Sequence, residues 1–358
     1  MEGKSGAKAA GSEPAAMPKG GTPGPLSDAA NAHRAVADAI QHFRVACYRV
    51  TLRAESRMRL PPFKGAALRG GFGLVFRDMC CVHRGSHCQT CPLDSACPYS
   101  YVFETRAPGD TGYFPPGGDV PRPFVLEPPL DPRTDYHPGD RLEFRLLLFG
   151  RAIPYFPYFL AAFRELGRRG FGKGGGCFQV QEARTLHPPS GKEVVVYSGP
   201  DDHARNIALA VTGAEVAEEA TRLPDTHVIV EFLTMTRLKS GAHYQDTPEF
   251  EVLARSLMRR ASSISALHHG VSLELDYRAL VAAARRVEVV ESDTRWVDWS
   301  RYSLRQDTTM KLGGIVGRAT YQGDLRPFRE LLVLGTYLHA GKNPTFGLGR
   351  YRLLPVEK

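Results

Sequence analysis

Two stretches of this chain repeat one plan: an apolar helix pattern, a glycine-rich basic loop, and a returning strand. The first is Tyr155–Gly167, then Arg168-Arg169 and the loop Gly170–Gly176 (GFGKGGG), then Phe178–Ala183. The second is Leu325–Ala340, then Gly341-Lys342 and Gly347-Leu348-Gly349-Arg350, then the strand Arg350–Leu353. A helix followed by a strand returns onto a sheet, so each stretch needs a sheet of its own. The 358 residues are enough for two such domains.

The order of elements supports that division. In the first half His42–Ser56 and Arg141–Phe149 read as strands, and Phe63–Phe76 reads as a helix weakened by Gly70, Gly71 and Gly73. Glycines there imply another backbone, or a ligand, packed close. After Pro224 the pattern restarts with the strand His227–Leu238, the helices Pro248–His268 and Tyr277–Val287, and the strands Trp296–Leu304 and Gly314–Gln322. This spacing fits an α+β fold of the βαββαβ ferredoxin-like (RRM-like) type, used twice. The expected division is a disordered tail at 1–33, a first domain at 34–223 with a cysteine-rich insertion at 80–98, and a second domain at 224–358. Residues 105–140 read as a long surface loop, and Asp201–Ala220 fits neither helix nor strand clearly.

Charge narrows the partners. The chain carries 46 Lys+Arg against 38 Asp+Glu, a formal +8, with arginine pairs at 168–169, 259–260 and 285–286. That balance favours an anionic partner, nucleic acid first and membrane second, and suits a solvated basic surface equally well. No apolar run approaches the ~20 residues of a membrane span, and the N-terminus lacks the apolar core of a signal peptide. With cysteines clustered rather than spread as a disulfide framework, the expected location is the cytoplasm.

Cys81, Cys88, Cys91 and Cys97 form C-x6-C-x2-C-x5-C, with Cys80 alongside. The C-x2-C step is a turn that points two sulfurs at one ion, so a structural zinc is the first reading. An iron–sulfur cluster is the second, and disulfides or free thiols the third. His83 or His87 could replace one sulfur. Four thiolates leave no open position, so zinc here would staple the insertion and not catalyse.

The two glycine loops offer backbone N–H groups beside Lys173 and Lys342, and such loops can wrap a phosphate. Neither matches the nucleotide-binding G-x-x-x-x-G-K-[ST] or G-x-G-x-x-G. One loop alone is better explained as a tight turn needing positive φ; two equivalent basic loops favour polyanion binding. The RNA-contact candidates are therefore Gly341, Lys342, Gly347, Gly349, Arg350, Arg168, Arg169, Lys173 and Gly174. His339, at a helix C-terminus where a protonated imidazole is favoured, is a candidate acid, base or phosphate contact. His243 and His268-His269 are further candidates. Trp296, Trp299 and Tyr302 form either a core face or a base-stacking surface, core being favoured.

His339–Tyr351, H-x-G-K-x-x-x-x-G-x-G-R-Y, resembles the terminal motif of the CRISPR-associated RAMP endoribonucleases that process precursor crRNA. Phe63-Lys64-Gly65, the cysteine cluster, and Tyr136–Gly150 leading into GFGKGGG resemble the branch of that family with cysteines in the N-terminal half. The resemblance covers about residues 42–355. It implies two tandem ferredoxin-like domains gripping CRISPR repeat RNA, and cleavage without metal by attack of a 2′-hydroxyl on the adjacent phosphate. It also implies a protein that stays on its product as an effector-complex subunit. The chemistry needs a base, an acid and a cation, for which His339 and Lys342 are the candidates. Many relatives place a catalytic histidine on the first helix of the N-terminal domain, and Phe63–Phe76 holds none, its only lysine being Lys64. The alternatives are a non-catalytic crRNA-binding subunit of the same system and, from the cysteines alone, a metal-ribbon DNA-binding or iron–sulfur protein.

Overall fold

The computed structural model of the chain describes residues 36–83, 87–106, 120–241, 243–303 and 308–355. The tail expected to be disordered, 1–33, lies outside them. In the first half, β1 (Arg44–Ala54) is the central strand because both of its faces are apolar. It pairs antiparallel with β5 (Arg141–Phe149), from Val45↔Phe149 to Arg53↔Arg141, and on its other side with β6 (Phe178–His187). Strand β3 (Phe124–Glu127) adds to β5, giving the order β3-β5-β1-β6. Strands β7 (Lys192–Ser198), β8 (His203–Ala204) and β9 (Ala210–Thr212) extend the sheet, and β2 (Met58–Arg59) pairs with β4 (Asp135–Tyr136) beside it.

Helices α1 (Gly65–Cys80) and α3 (Phe156–Arg169) cover one face of this sheet; the short α2 (Pro98–Phe103) follows the cysteines. Phe72 of α1 stacks on Phe159 and Phe163 of α3, with ring centroids at 4.8 and 5.0 Å. The glycines of α1 do have close neighbours. A Cβ at Gly71 would stand 3.0 Å from Leu166 Cδ1, and one at Gly65 would stand 1.9 Å from the Phe346 carbonyl oxygen of the second half.

The second half repeats the topology. Strand β10 (His227–Thr236) is followed by the small β11 (Lys239–Ser240) and β12 (His243–Tyr244) pair, then α5 (Phe250–Ile264) and α6 (Tyr277–Ala284). Strand β13 (Glu288–Val297) forms a hairpin with β16 (Gly314–Gln322), prolonged by β14 (Ser300–Ser303) and β15 (Thr308–Lys311). Helix α7 (Arg329–Leu338) and β17 (Tyr351–Leu354) complete the sheet, in the order β13-β16-β10-β17. In both halves the strands, counted along the unit, lie in the order 2-3-1-4, and two helices cover one face. That is the ferredoxin-like arrangement expected from the sequence.

Three readings need correction. Residues 105–140 are not a surface loop throughout: β3 lies among them with all four residues buried. Prolines at 121, 123, 128 and 129 hid it, since they mark where the strand can begin and end. The ambiguous Asp201–Ala220 contains α4 (Gly213–Ala220), started by a capping box between Thr212 and Glu215. The strand expected at Trp296–Leu304 begins earlier, at Glu288, where almost every side chain is exposed and no apolar alternation marks it.

The halves share one core. Val45, Cys47, Val125, Leu147 and Phe149, on the back of the first sheet, join Phe250, Leu253, Leu257, Leu331 and Leu334 of the second half. No helix among the described residues is long and apolar enough to cross a membrane. Phe72→Ala should lower unfolding free energy by about 3–5 kcal/mol in urea titration, as a large buried side chain leaves a cavity between two helices. A loss under about 1 kcal/mol would contradict the stacked-ring account of the first core.

Candidate nucleic-acid interface

The second glycine loop, 339–350, closes on itself before it can meet any ligand. His339 (φ 65) ends α7 in the left-handed region, and Asn343 (φ 60), Gly341, Gly347 and Gly349 follow it there. A Cβ on Gly349 would stand 1.8 Å from the Ala340 carbonyl oxygen, and one on Gly341 would stand 2.5 Å from that of Arg237. One on Gly347 would meet Pro128 Cδ and the Leu126 carbonyl oxygen at 2.3 and 2.6 Å, beside β3. The glycines are therefore required by packing. Their N–H groups are engaged as well: Gly341 donates to Ser256 Oγ, Gly347 to the Pro344 carbonyl and Gly349 to the Met235 carbonyl. The reading of Gly341, Gly347 and Gly349 as phosphate-wrapping N–H donors is corrected accordingly; they give the loop its shape and seat it on the first domain.

His339 is completely buried. Its Nδ1 lies 3.0 Å from the Leu348 carbonyl oxygen and its Nε2 lies 2.9 Å from Glu127 Oε1 on β3. Both neighbours accept, so the ring makes both hydrogen bonds only with a proton on each nitrogen. Burial holds the imidazole below its ordinary value, an effect the Glu127 carboxylate offsets only in part. Burial also opposes ionisation of Glu127, but the His339 hydrogen bond and the nearby Arg145 and Arg350 outweigh it and hold the carboxyl down to about 2. Arg145 Nε and Arg350 Nε stand 3.3 and 3.6 Å from Glu127 Oε2. With both ring nitrogens enclosed, His339 ties the loop to the first domain and has no face toward a substrate. The expectation of a catalytic His339 is corrected on that ground.

What the loop presents is charge. Lys342 is half-buried on it, and Arg350 follows it. Arg260 of α5 donates from Nε to the Leu338 carbonyl. Arg237, whose own carbonyl abuts Gly341, is 9% exposed and lies 4.2 Å from the centroid of the Tyr244 ring. Among the described residues no carboxylate pairs with Arg237, and its buried Nε has no hydrogen-bond partner. Cations thus gather around the loop, while Glu127 is shared between Arg145, Arg350 and the His339 ring.

The first glycine loop differs. Gly172–Gly175 are exposed, Gly174 and Gly175 have open space around them, and Lys173 projects beside Arg59, whose carbonyl accepts the Lys173 N–H. Arg168 pairs with Glu165, and Arg169 with Glu165 and Asp78. Exposed pairs of this kind exchange readily for a phosphate. Lys64 is not available: it is buried, donating to the carbonyls of Pro62 and Asp131 at 3.0 and 2.6 Å.

The remaining histidines named from sequence are mainly structural. His268 Nε2 donates to the Pro121 carbonyl at 2.9 Å, and His269 Nε2 accepts the Arg44 N–H at 3.0 Å, so both join second-half residues to the first half. Burial pulls them down to about 3 and about 4, which keeps them neutral. His243 is exposed on β12. Trp299 packs edge-on against Phe63, whereas Trp296 is exposed and donates to Asp298.

Cys80 and Cys81 lie at the end of α1, Cys88 and Cys91 bracket a 3-10 turn, and Cys97 closes a second turn and begins α2. All are free thiols. Burial and neighbouring thiols push Cys80 up to about 11. Among the described residues no group of three or more His, Cys, Asp or Glu stands close enough to hold a metal.

Sequence reasoning missed Glu127, Arg237 and Arg260. Glu127 had one visible signal, a lone carboxylate ending an apolar run, FVLE. Glu127→Ala should destabilise the protein by about 3–5 kcal/mol at pH 7, because Arg145, Arg350 and His339 then lose their shared anion. The folded-state value of Glu127 is depressed, so its contribution is complete above the ordinary glutamate value and is lost as pH falls through about 2. Denaturant titrations of wild type and Glu127→Gln should accordingly converge below about pH 4. A gap that persists undiminished to pH 2 would contradict the ion pair.

Comparison with known proteins places this geometry. The family described as CRISPR-associated endoribonuclease Cas6 matches residues 230–351, and a family described as an N-terminal domain matches residues 43–209. An uncharacterized protein of Archaeoglobus fulgidus is 24% identical over 300 residues, 82% of this chain and 92% of that one. The fold is similar to that of a Thermus thermophilus Cas6 product complex, with a TM-score of 0.53 at 18% identity, over 87% of this chain and 100% of that one. It is also similar to a chain of a partial Cas6-RT-Cas1--Cas2 complex, with a TM-score of 0.53 at 15% identity, over 87% of this chain and 46% of that one. The Cas6 match, residues 230–351, takes in the glycine loop and its buried histidine, so it is the second domain that is similar to the CRISPR-associated endoribonucleases.

Proposed function

We propose that the chain binds CRISPR repeat RNA at the seam between its two ferredoxin-like domains and cleaves it without metal to release mature crRNA. The observation that carries this is Arg237, a buried guanidinium against the glycine loop with no carboxylate among the described residues. Burying an unpaired charge is costly, and an RNA phosphate would satisfy it. Lys342 and Arg350 add charge at the same loop, and Arg168, Arg169, Lys173 and Gly174 supply a second, exposed contact on the first domain.

In the proposed reaction a 2′-oxygen attacks the adjacent phosphorus as its proton leaves. The bond from phosphorus to the 5′-oxygen breaks, and that oxygen takes up a proton. The products are a 2′,3′-cyclic phosphate and a 5′-hydroxyl. Lys342 steadies the charge on the phosphorane, while His339 holds the loop through Glu127 and does not itself transfer a proton. Lys342→Ala should slow cleavage of a labelled repeat RNA in EDTA by about 10²-fold, with His339 and Glu127 intact. Cleavage that requires magnesium would overturn the mechanism.

A second reading, a crRNA-binding subunit that does not cut, is favoured by the burial of His339. It predicts tight repeat binding and an intact RNA after prolonged incubation. Under either reading the expected partners are crRNA and other effector-complex subunits.

For Cys81, Cys88, Cys91 and Cys97 only the spacing supports a structural zinc, with an iron–sulfur cluster as the alternative. Elemental analysis of protein purified without chelator tests it, zinc near one equivalent and no visible absorption being the expected result. Metal-free protein of full stability would remove the metal, and a coloured iron-bearing protein would replace zinc with a cluster.

A further inference from the structure

Helix α5 has two polar flanks. Ser256 and Arg260 turn toward the glycine loop, where Ser256 Oγ accepts the Gly341 N–H and Arg260 donates to the Leu338 carbonyl. Arg255, next to Ser256, turns the other way, toward α6. There it lines an open pocket of about 420 Å³ together with Tyr277, Arg278, Val281, Ala282 and Arg285.

The pocket is strongly cationic. Arg255 and Arg285 share one carboxylate, Glu251, at 3.0 and 3.1 Å. Arg278 has no ion pair among the described residues, so three guanidiniums face one anion. Tyr277 is fixed by the contact of its hydroxyl with Ser262 Oγ, while Val281 and Ala282 give an apolar wall. Fork-shaped cations suit a phosphate, and a held aromatic ring suits a base. The volume falls in the range that encloses a small ligand and not a helix. A duplex would lie across such a depression, whereas one unpaired nucleotide can enter it.

We propose that this α5–α6 pocket takes a single unpaired RNA nucleotide adjoining the segment held at the glycine loop. Its phosphate would lie on Arg278 and Arg285 and its base against Tyr277. This rests on the reading of the glycine loop as an RNA site, since one helix joins the two places.

The test pairs Arg278→Glu, which breaks no ion pair, with repeat RNAs shortened one nucleotide at a time from each end. Binding is read by fluorescence anisotropy, and thermal melting by circular dichroism confirms that the variant is folded. Wild type should lose about tenfold in affinity at the step that removes the nucleotide reaching the pocket. Arg278→Glu should bind the full repeat about tenfold more weakly and lose nothing further at that step. Equal binding by the variant, or a loss that is the same for every RNA length, overturns the pocket while leaving the glycine-loop site standing. Wild-type protein that binds no repeat RNA overturns both.

Discussion

The structure depends on one buried contact, Glu127 to His339, made across the seam between the two domains. Neither residue has solvent to stabilise a charge, so each holds the other in place. Glu127 comes from a four-residue strand of the first sheet, and His339 from the turn that ends the last helix of the second. That one contact fixes where the glycine loop sits on the first domain. Gly65 against Phe346, and Gly347 against Leu126, are close approaches that this seating demands.

Seated this way, the loop has a different role from the one its glycines advertise. Glycine-rich and basic loops invite a phosphate-cradle reading, yet here the backbone N–H groups are engaged internally and the conformation is dictated by carbonyl oxygens within 3 Å of each missing Cβ. On the proposed reading, binding falls to the side chains that gather around it: Arg237, Lys342 and Arg350. A prefolded loop beside Arg237, which has no carboxylate partner among the described residues, suits recognition of a backbone held in one path, because little ordering remains to be done on binding.

The tandem ferredoxin-like plan was legible because central strands such as β1 and helices such as α3 carry clear apolar periodicity. The metal-like spacing of the cysteines and the charge of both loops were legible for the same reason: they are local. What could not be read was everything set by distant partners. Strand β3 hid among prolines, and β13 is polar because it is an exposed edge. The fate of His339 was invisible because its partner is more than two hundred residues away in sequence. Arg237 looked like any basic residue until its burial beside Gly341 left it without an anion.

The central claim is that RNA lies along the seam at the glycine loop. Photocrosslinking of a 4-thiouridine-labelled CRISPR repeat, followed by mass spectrometry of the attached peptides, tests it most directly. The account predicts crosslinks to peptides containing Arg237 and to the segment 339–350. Crosslinks confined to the cysteine-bearing unit, with none at the seam, would contradict it.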